Sequence, residues 1–263
     1  GNGASLGSVD DFLLRWFDAY LKGCDTGVRE WASVRLFVMG GGSGRALPLG
    51  LGRTTARLSH GGYWRDEEHW PPSRVEKREL YLGSGGSLSG EALQEEESST
   101  TYTFDPTDPV PTIGGSVQNA AGAAGVLYGG GFEQSGREDL LFSHDMLPLA
   151  ARADVLVFRT PPLPEALELT GPVEVHLYVS SSAQDTDFTA KLVDEYPSSS
   201  DYPDGFALNL CDAIVRMRYR NGRRVAELIE PNSIYEITVG PLVTSNLFAV
   251  GHRIRLDVSS SSA

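Results

Sequence analysis

The chain has 263 residues, a formal charge of −13 from 22 basic and 35 acidic side chains, and a 40% hydrophobic share. At roughly 150 residues per domain this length predicts one to two domains, and the hydrophobic share suffices for a core and excludes a disordered chain. So acidic a surface repels phosphate backbones, which excludes nucleic acid as a partner. No apolar run approaches the roughly 18 residues of a membrane span, so no membrane partner is expected.

The 30 glycines and 15 prolines are about one residue in six, above the roughly 12% of average chains, so turns are frequent and short strands are favoured over long helices. Residues 1–8 show neither a basic n-region nor an apolar h-region. No secretory leader is therefore expected, and a soluble, cytoplasmic protein is favoured while the compartment stays open. Val9, Phe12, Leu13, Trp16, Phe17, Tyr20 and Leu21 then recur with helical period on one face. Ser8 with Asp11 resembles a capping box, and Gly23 after Lys22 suits the C-terminal stop. Four aromatics on one stripe of a short helix require a large partner surface, and no second amphipathic helix follows to supply it.

Next, Val34–Met39 reads as a mostly buried strand, followed by a Gly/Arg/Ser-rich stretch from Gly40 to Gly62 without a period of its own. Short strands are predicted at Glu79–Leu82, Thr101–Phe104, Val155–Arg159, Val173–Val179, Asp187–Asp194, Ala213–Arg220, Ile234–Val239 and Arg253–Val258. Val173, Val175, Leu177 and Val179 alternate with Glu174, His176 and Tyr178, and Ile254, Leu256 and Val258 with Arg253, Arg255 and Asp257. Strands with one apolar and one polar face suit an antiparallel sandwich, and no 10–15-residue helical pattern separates them as a parallel sheet would need. The expected fold is all-β, a jelly-roll, galactose-binding-like β-sandwich preceded by an amphipathic helix. Long irregular stretches from Pro106 to about Phe132 and from Tyr196 to Gly205 interrupt it, and loops of this length are uncommon unless they are functional or mobile.

Few residue patterns carry chemistry. A nucleophile elbow needs G-x-S-x-G, and neither Ser43 nor Ser116 completes one, so both read as loop residues. His60, His69, His144, His176 and His252 never fall at metal-ligand spacing. Cys24 and Cys211 are too few and too far apart for a zinc site or a disulfide framework and read as two buried free thiols. Asp185-Thr186-Asp187 could lend oxygens to calcium, but a turn at a strand edge is the simpler reading. Neither a metal nor a cofactor is therefore expected. In Gly61–Pro71, Trp64 and Trp70 could wall a pocket with Asp66 or Glu67 as an acid. The alternative there is aromatics packed at a domain seam, with Arg65 paired to a carboxylate. Arg216, Arg218 and Arg220 alternate along one strand face, solvated or at an interface.

Several ordered motifs share one resemblance. Val34–Gly40, Gly61-Gly62-x-Trp64-Arg65-Asp66-Glu67 with Trp70-Pro71, Thr101–Pro106 and Asp108–Gly115 belong to it. So do Ser180–Ala183 with Asp185–Leu192, Thr244–Phe248 and Gly251–Ile254. Together they resemble the CocE/NonD hydrolases, a group that includes cocaine esterase, α-amino-acid ester hydrolases and X-prolyl dipeptidyl-peptidases. The resemblance implies a serine hydrolase built from an α/β-hydrolase domain, a helical cap and a C-terminal jelly roll. Leu13–Gly23 resembles the segment just after the catalytic histidine, so serine, aspartate and histidine would all lie upstream of Gly1 and no catalytic residue is expected here. Residues 1–72 would be the end of the hydrolase domain and 73–263 the sandwich, cut short where relatives continue past Ser259–Ala263. The loop Ser116, Val117, Gln118 and Asn119, together with Trp64, would face substrate. Expected partners are the chain's own hydrolase domain, a second copy in a homo-oligomer, and a small ester or peptide substrate. A stand-alone carbohydrate-binding jelly roll is the competing reading, because lectin domains share the architecture.

Overall fold

A computed structural model describes residues 9–47, 57–91, 99–115, 130–136, 143, 145–222 and 224–262. The amphipathic pattern forms helix α1 (Val9–Leu21), stopped at Gly23, whose φ of 70° suits glycine. Ser8 of the expected capping box lies outside the described residues. Strand β1 (Val34–Gly40) leads through the short β2 (Ala46–Leu47) and β3 (Arg57–Leu58) to β4 (Gly62–Glu67). Then come β5 (Tyr81–Gly83), β6 (Ser87–Ser89) and β7 (Leu156–Arg159). The long strands close the chain: β8 (Leu167–Val179), β9 (Asp187–Tyr196), β10 (Phe206–Arg216), β11 (Tyr235–Phe248) and β12 (Arg253–Ser259).

These strands make a β-sandwich. One sheet has the order β4-β1-β11-β8 and the other β10-β9-β12-β7-β6-β5, while β2 and β3 form a separate ribbon. Pairing is antiparallel except for β1 beside β11 and β6 beside β7. The period-two rows explain the packing. Val175, Ile237, Val239, Leu242 and Phe248 from the first sheet meet Phe188, Ala190, Leu192, Ile254, Leu256 and Val258 from the second in one apolar cluster. Phe248 and Val239 are fully buried at its centre.

The structure departs from the sequence expectations at several points. Strand β1 is buried on one face only, through Leu36, Val38 and Gly40, because it lies between β4 and β11 with Phe37 turned outward. Both β1 and β4 are hydrogen-bonded into the sheet of β8 and β11. A boundary at residue 72 would cut through that sheet. The segment Thr101–Phe104 joins no ladder, and Tyr102 instead hydrogen-bonds Ser260 Oγ at 2.7 Å. The strand expected at Ala213–Arg220 ends at Arg216, and Met217–Tyr219 turn as a 3-10 helix. The three arginines consequently do not share a strand face; each meets its own acid, Arg216 with Asp187, Arg218 with Asp185 and Arg220 with Glu227. Those contacts occupy both carboxylates of the Asp185-Thr186-Asp187 turn. Both cysteines are free, but only Cys211 is buried; Cys24 is exposed just past α1.

Strand β12 differs most. Its predicted polar face is not wet: Arg255 is 2% and Asp257 5% exposed. A further layer covers that side of the six-stranded sheet, with Val110, Ile113, Leu149 and Val155 forming a second apolar cluster. Beneath it Arg255 grips Asp257 with two hydrogen bonds of 2.7 Å, and Lys191 Nζ donates to Gln134 Oε1 at 2.7 Å. The Arg255–Asp257 pair meets the need of a buried charge for a counter-charge, because an isolated ion in the interior is far costlier than in water, while Lys191 has a neutral acceptor in Gln134.

Candidate functional site

Among the described residues, two groups of touching, exposed aromatics come from the first 70 residues. On α1 only Ala19 is buried. Leu13, Trp16, Phe17 and Tyr20 are 42%, 40%, 50% and 53% exposed. Their rings are already arranged: Phe12 stacks on Trp31 with centroids 5.0 Å apart, and Trp16 leans on Tyr20 at 4.6 Å. Spacing of three and four residues puts these side chains on one face. Each aromatic carries on the order of 150–250 Å² of surface and about half of it is exposed here, so the stripe presents roughly 300–400 Å², the size of the largest apolar patch on a monomer and often an interaction site.

The second area lies on β1 and β4, where register sets Phe37 opposite Trp64. The rings meet edge to face at 5.3 Å, with Trp64 53% exposed. Polar clamps hold these strands. Arg35 pairs with Asp66 across the same ladder, Nη2 to Oδ2 at 2.7 Å. Arg65 reaches from β4 to Glu168 on β8 with two hydrogen bonds of 2.7 Å and also contacts Glu67, which in turn binds Arg74. The Arg65 hydrogen bonds hold the Glu168 carboxyl below the usual carboxylate range. Asp66 and Glu67 are therefore both ion-paired, and neither is free to serve as an acid. Replacing Trp64 by alanine removes one edge-to-face contact from a half-exposed ring. The expected cost is about 1–3 kcal/mol in a urea unfolding experiment; a loss of about 5 would show that the ring is part of the core.

Of the other residues expected to face substrate, Ser116, Val117, Gln118 and Asn119 lie outside the described residues. The root of their loop is described. Gly115 and Gly130 exchange backbone hydrogen bonds of 2.8 and 2.9 Å, and a Cβ on Gly115 would come within 2.6 Å of Asp212 Oδ1. This root sits against β10, at the edge of one sheet, whereas Trp64 stands on β4, at the edge of the other.

A polar chain that sequence reasoning missed runs through the interior. His60 touches Tyr196 OH with Nδ1 (2.5 Å) and Asn246 Oδ1 with Nε2 (2.9 Å). Asn246 Nδ2 donates to Asp194 Oδ2 at 3.1 Å, and His252 Nδ1 lies 2.8 Å from Asp194 Oδ1. Asp194 and Asn246 are fully buried. One signal was available: Asp194 continues the inward row Phe188, Ala190, Leu192, a carboxylate where the period demands an apolar residue. Among the described residues no group of three or more His, Cys, Asp or Glu could hold a metal ion.

From Thr26 onward the described residues build a β-sandwich. Residues 26–263 match the family described as X-Pro dipeptidyl-peptidase C-terminal non-catalytic domain, and the chain belongs to that family. A cocaine esterase of Rhodococcus sp. (strain MB1 Bresler) is 38% identical over 255 residues, covering 94% of this chain and 37% of its own length. An aminopeptidase from the marine sediment archaeon Thaumarchaeota archaeon superposes with a TM-score of 0.66 at 26% identity, over 95% of this chain and 36% of that one. An α-amino acid ester hydrolase does so with a TM-score of 0.57 at 27% identity, over 76% of this chain and 32% of that one. The chain corresponds to the C-terminal, non-catalytic part of CocE/NonD-type hydrolases, as the motif resemblance implied. It spans a little over a third of the length of the relatives it matches. These relatives are hydrolases, which leaves the carbohydrate-binding reading without support. Among the described residues no helix is long and apolar enough to cross a membrane.

Proposed function

We propose that this chain is the C-terminal portion of a serine hydrolase that cleaves acyl esters or N-terminal dipeptides, and that its sandwich braces the catalytic domain and shapes the mouth of its pocket. The observation that carries this reading is the uncovered aromatic face of α1. A helix presenting Leu13, Trp16, Phe17 and Tyr20 to water is costly alone and complements the apolar surface of a neighbouring domain. The match to a non-catalytic domain family supports it, as do hydrolase relatives about three times as long. In this reading α1 packs on an α/β-hydrolase domain of the same polypeptide, and Phe37 and Trp64 lie along the seam. The nucleophile, its histidine and its aspartate reside in that upstream domain, where an activated serine attacks the carbonyl and backbone amides hold the oxyanion.

The test is to recover the reading frame upstream of Gly1 and assay both forms with p-nitrophenyl acetate. A G-x-S-x-G elbow upstream is expected, with turnover in the longer protein that a serine-directed fluorophosphonate abolishes. The 263-residue chain is expected to show none. Fluorophosphonate-sensitive turnover by this chain alone, or a stop codon immediately upstream, would overturn the proposal.

A further inference from the structure

Between β1 and β4 the chain makes an excursion whose stem is well tied. Gly42 N donates to His60 O at 2.8 Å, Gly44 N to Ser59 O at 3.0 Å and Ser59 N to Arg45 O at 2.8 Å. The two sides approach so closely that a Cβ on Gly42 would stand 2.2 Å from Ser59 O. This stem meets the sandwich at three points. Leu58 packs on the apolar cluster of Tyr196, Phe206 and Leu208. Ala46 N donates to Asp201 Oδ2 at 3.0 Å. His60 is the third, and the only one of the three that can change charge near neutrality by itself.

Hydrogen-bond direction along the buried chain determines the state of His60. The Asp194 carboxylate only accepts, so Asn246 turns its amide nitrogen toward it and its carbonyl toward His60. His60 Nε2 must then carry a hydrogen. In the neutral ring Nδ1 is left as an acceptor, and the Tyr196 hydroxyl donates to it. A proton placed on Nδ1 makes the Tyr196 oxygen the acceptor, so the hydroxyl must turn its hydrogen away from the ring nitrogen that received it, and a positive charge enters a largely buried site. The titratable groups facing His60 are Tyr196 and Asp194 on β9 and His252 ahead of β12; Asn246 on β11 is neutral. Burial opposes the proton most, Asp194 favours it and His252 opposes it, so that His60 sits below its ordinary value of 6.5.

We propose that His60 is a pH-sensitive latch: its protonation releases the 41–47/57–61 stem from β9 and β10 and uncovers the Tyr196–Phe206–Leu208 cluster. The sign follows from linkage. The open state binds the proton more readily than the closed one. Closure is therefore fully stabilised above about pH 6.5 and is lost as the pH falls through the lower value of the closed state.

Hydrogen exchange on the 263-residue chain at pH 7.5 and pH 5.0, corrected for intrinsic rates, tests this. Protection at Gly42, Gly44 and Ser59 should fall about tenfold for each pH unit separating the closed- and open-state values, while that of residues 187–196 holds. His60→Gln offers an N–H to Asn246 and a carbonyl to Tyr196 without titrating, and should keep the stem protected at both pH values. Stem protection in the wild type that does not change with pH, or a loss in His60→Gln equal to the wild type's, would each overturn the latch.

Discussion

Replacing Asp257 with alanine is expected to destabilise the chain by about 3–5 kcal/mol, the usual cost of breaking one partner out of a buried pair. The side chains of Arg255 and Asp257 are 3% and 7% exposed and share two hydrogen bonds of 2.7 Å. With Asp257 gone, Arg255 keeps only Glu195 at 3.6 Å, too long for a good charge-assisted hydrogen bond. Its guanidinium would stay under the Val110–Val155 layer with its charge largely uncompensated. Replacing both residues together, Arg255→Leu with Asp257→Val, removes the pair rather than half of it and should cost far less. Urea unfolding of the three proteins decides this. A single variant that loses under 1 kcal/mol, or a double variant as unstable as the single, would mean that water reaches this face.

Asp194→Ala should be comparably severe. Asp194 is fully buried and accepts from Asn246 and His252, both of which would be left with a buried, unpaired donor. Each such orphan costs about 1–3 kcal/mol, so a total loss of about 3–5 kcal/mol is expected. Asp194→Asn keeps the shape and one acceptor but turns a donor toward either Asn246 or His252, and should lie between the alanine variant and the wild type. The variants also probe the latch indirectly, since Asn246 loses the partner that orients it toward His60. Stem exchange in Asp194→Asn should therefore rise even at pH 7.5. Equal midpoints for all three proteins in urea would show that the chain of hydrogen bonds is dispensable.

Much of the architecture was legible because periodicity is a local property. The helix at Val9–Leu21 follows from the spacing of its aromatics, and β8 from Val173 alternating with Glu174 through Val179. The same local logic failed for β12. Alternation identifies two faces, but it cannot say that a second layer covers the polar one, since Val110, Ile113 and Leu149 arrive from 100 to 150 residues away. Arg218 and Arg220 were misplaced for a related reason: strand parity holds only while the strand lasts, and the chain turns at Met217 to let each arginine meet an acid.

The candidate site divides in the same way. Trp64 was identifiable as an aromatic amid charges, and Arg65 as a residue needing a carboxylate, because composition alone shows both. That the carboxylate would be Glu168, 103 residues along the chain, was decided by the folding of β4 and β8 into one sheet with their side chains within reach of each other. The chain of His60, Tyr196, Asn246, Asp194 and His252 was invisible for the same reason: its members come from four separate stretches, and only Asp194 breaks a local pattern. By itself, then, the sequence determined a sandwich with an unpartnered helix and an acidic surface, since side-chain periodicity, turn residues and net charge all act over a few residues. Which charges are buried, which are paired and which histidine holds the stem closed were decided by the tertiary structure, because burial and hydrogen-bond partnership depend on distance in space, and that distance is not encoded in any short stretch of the chain.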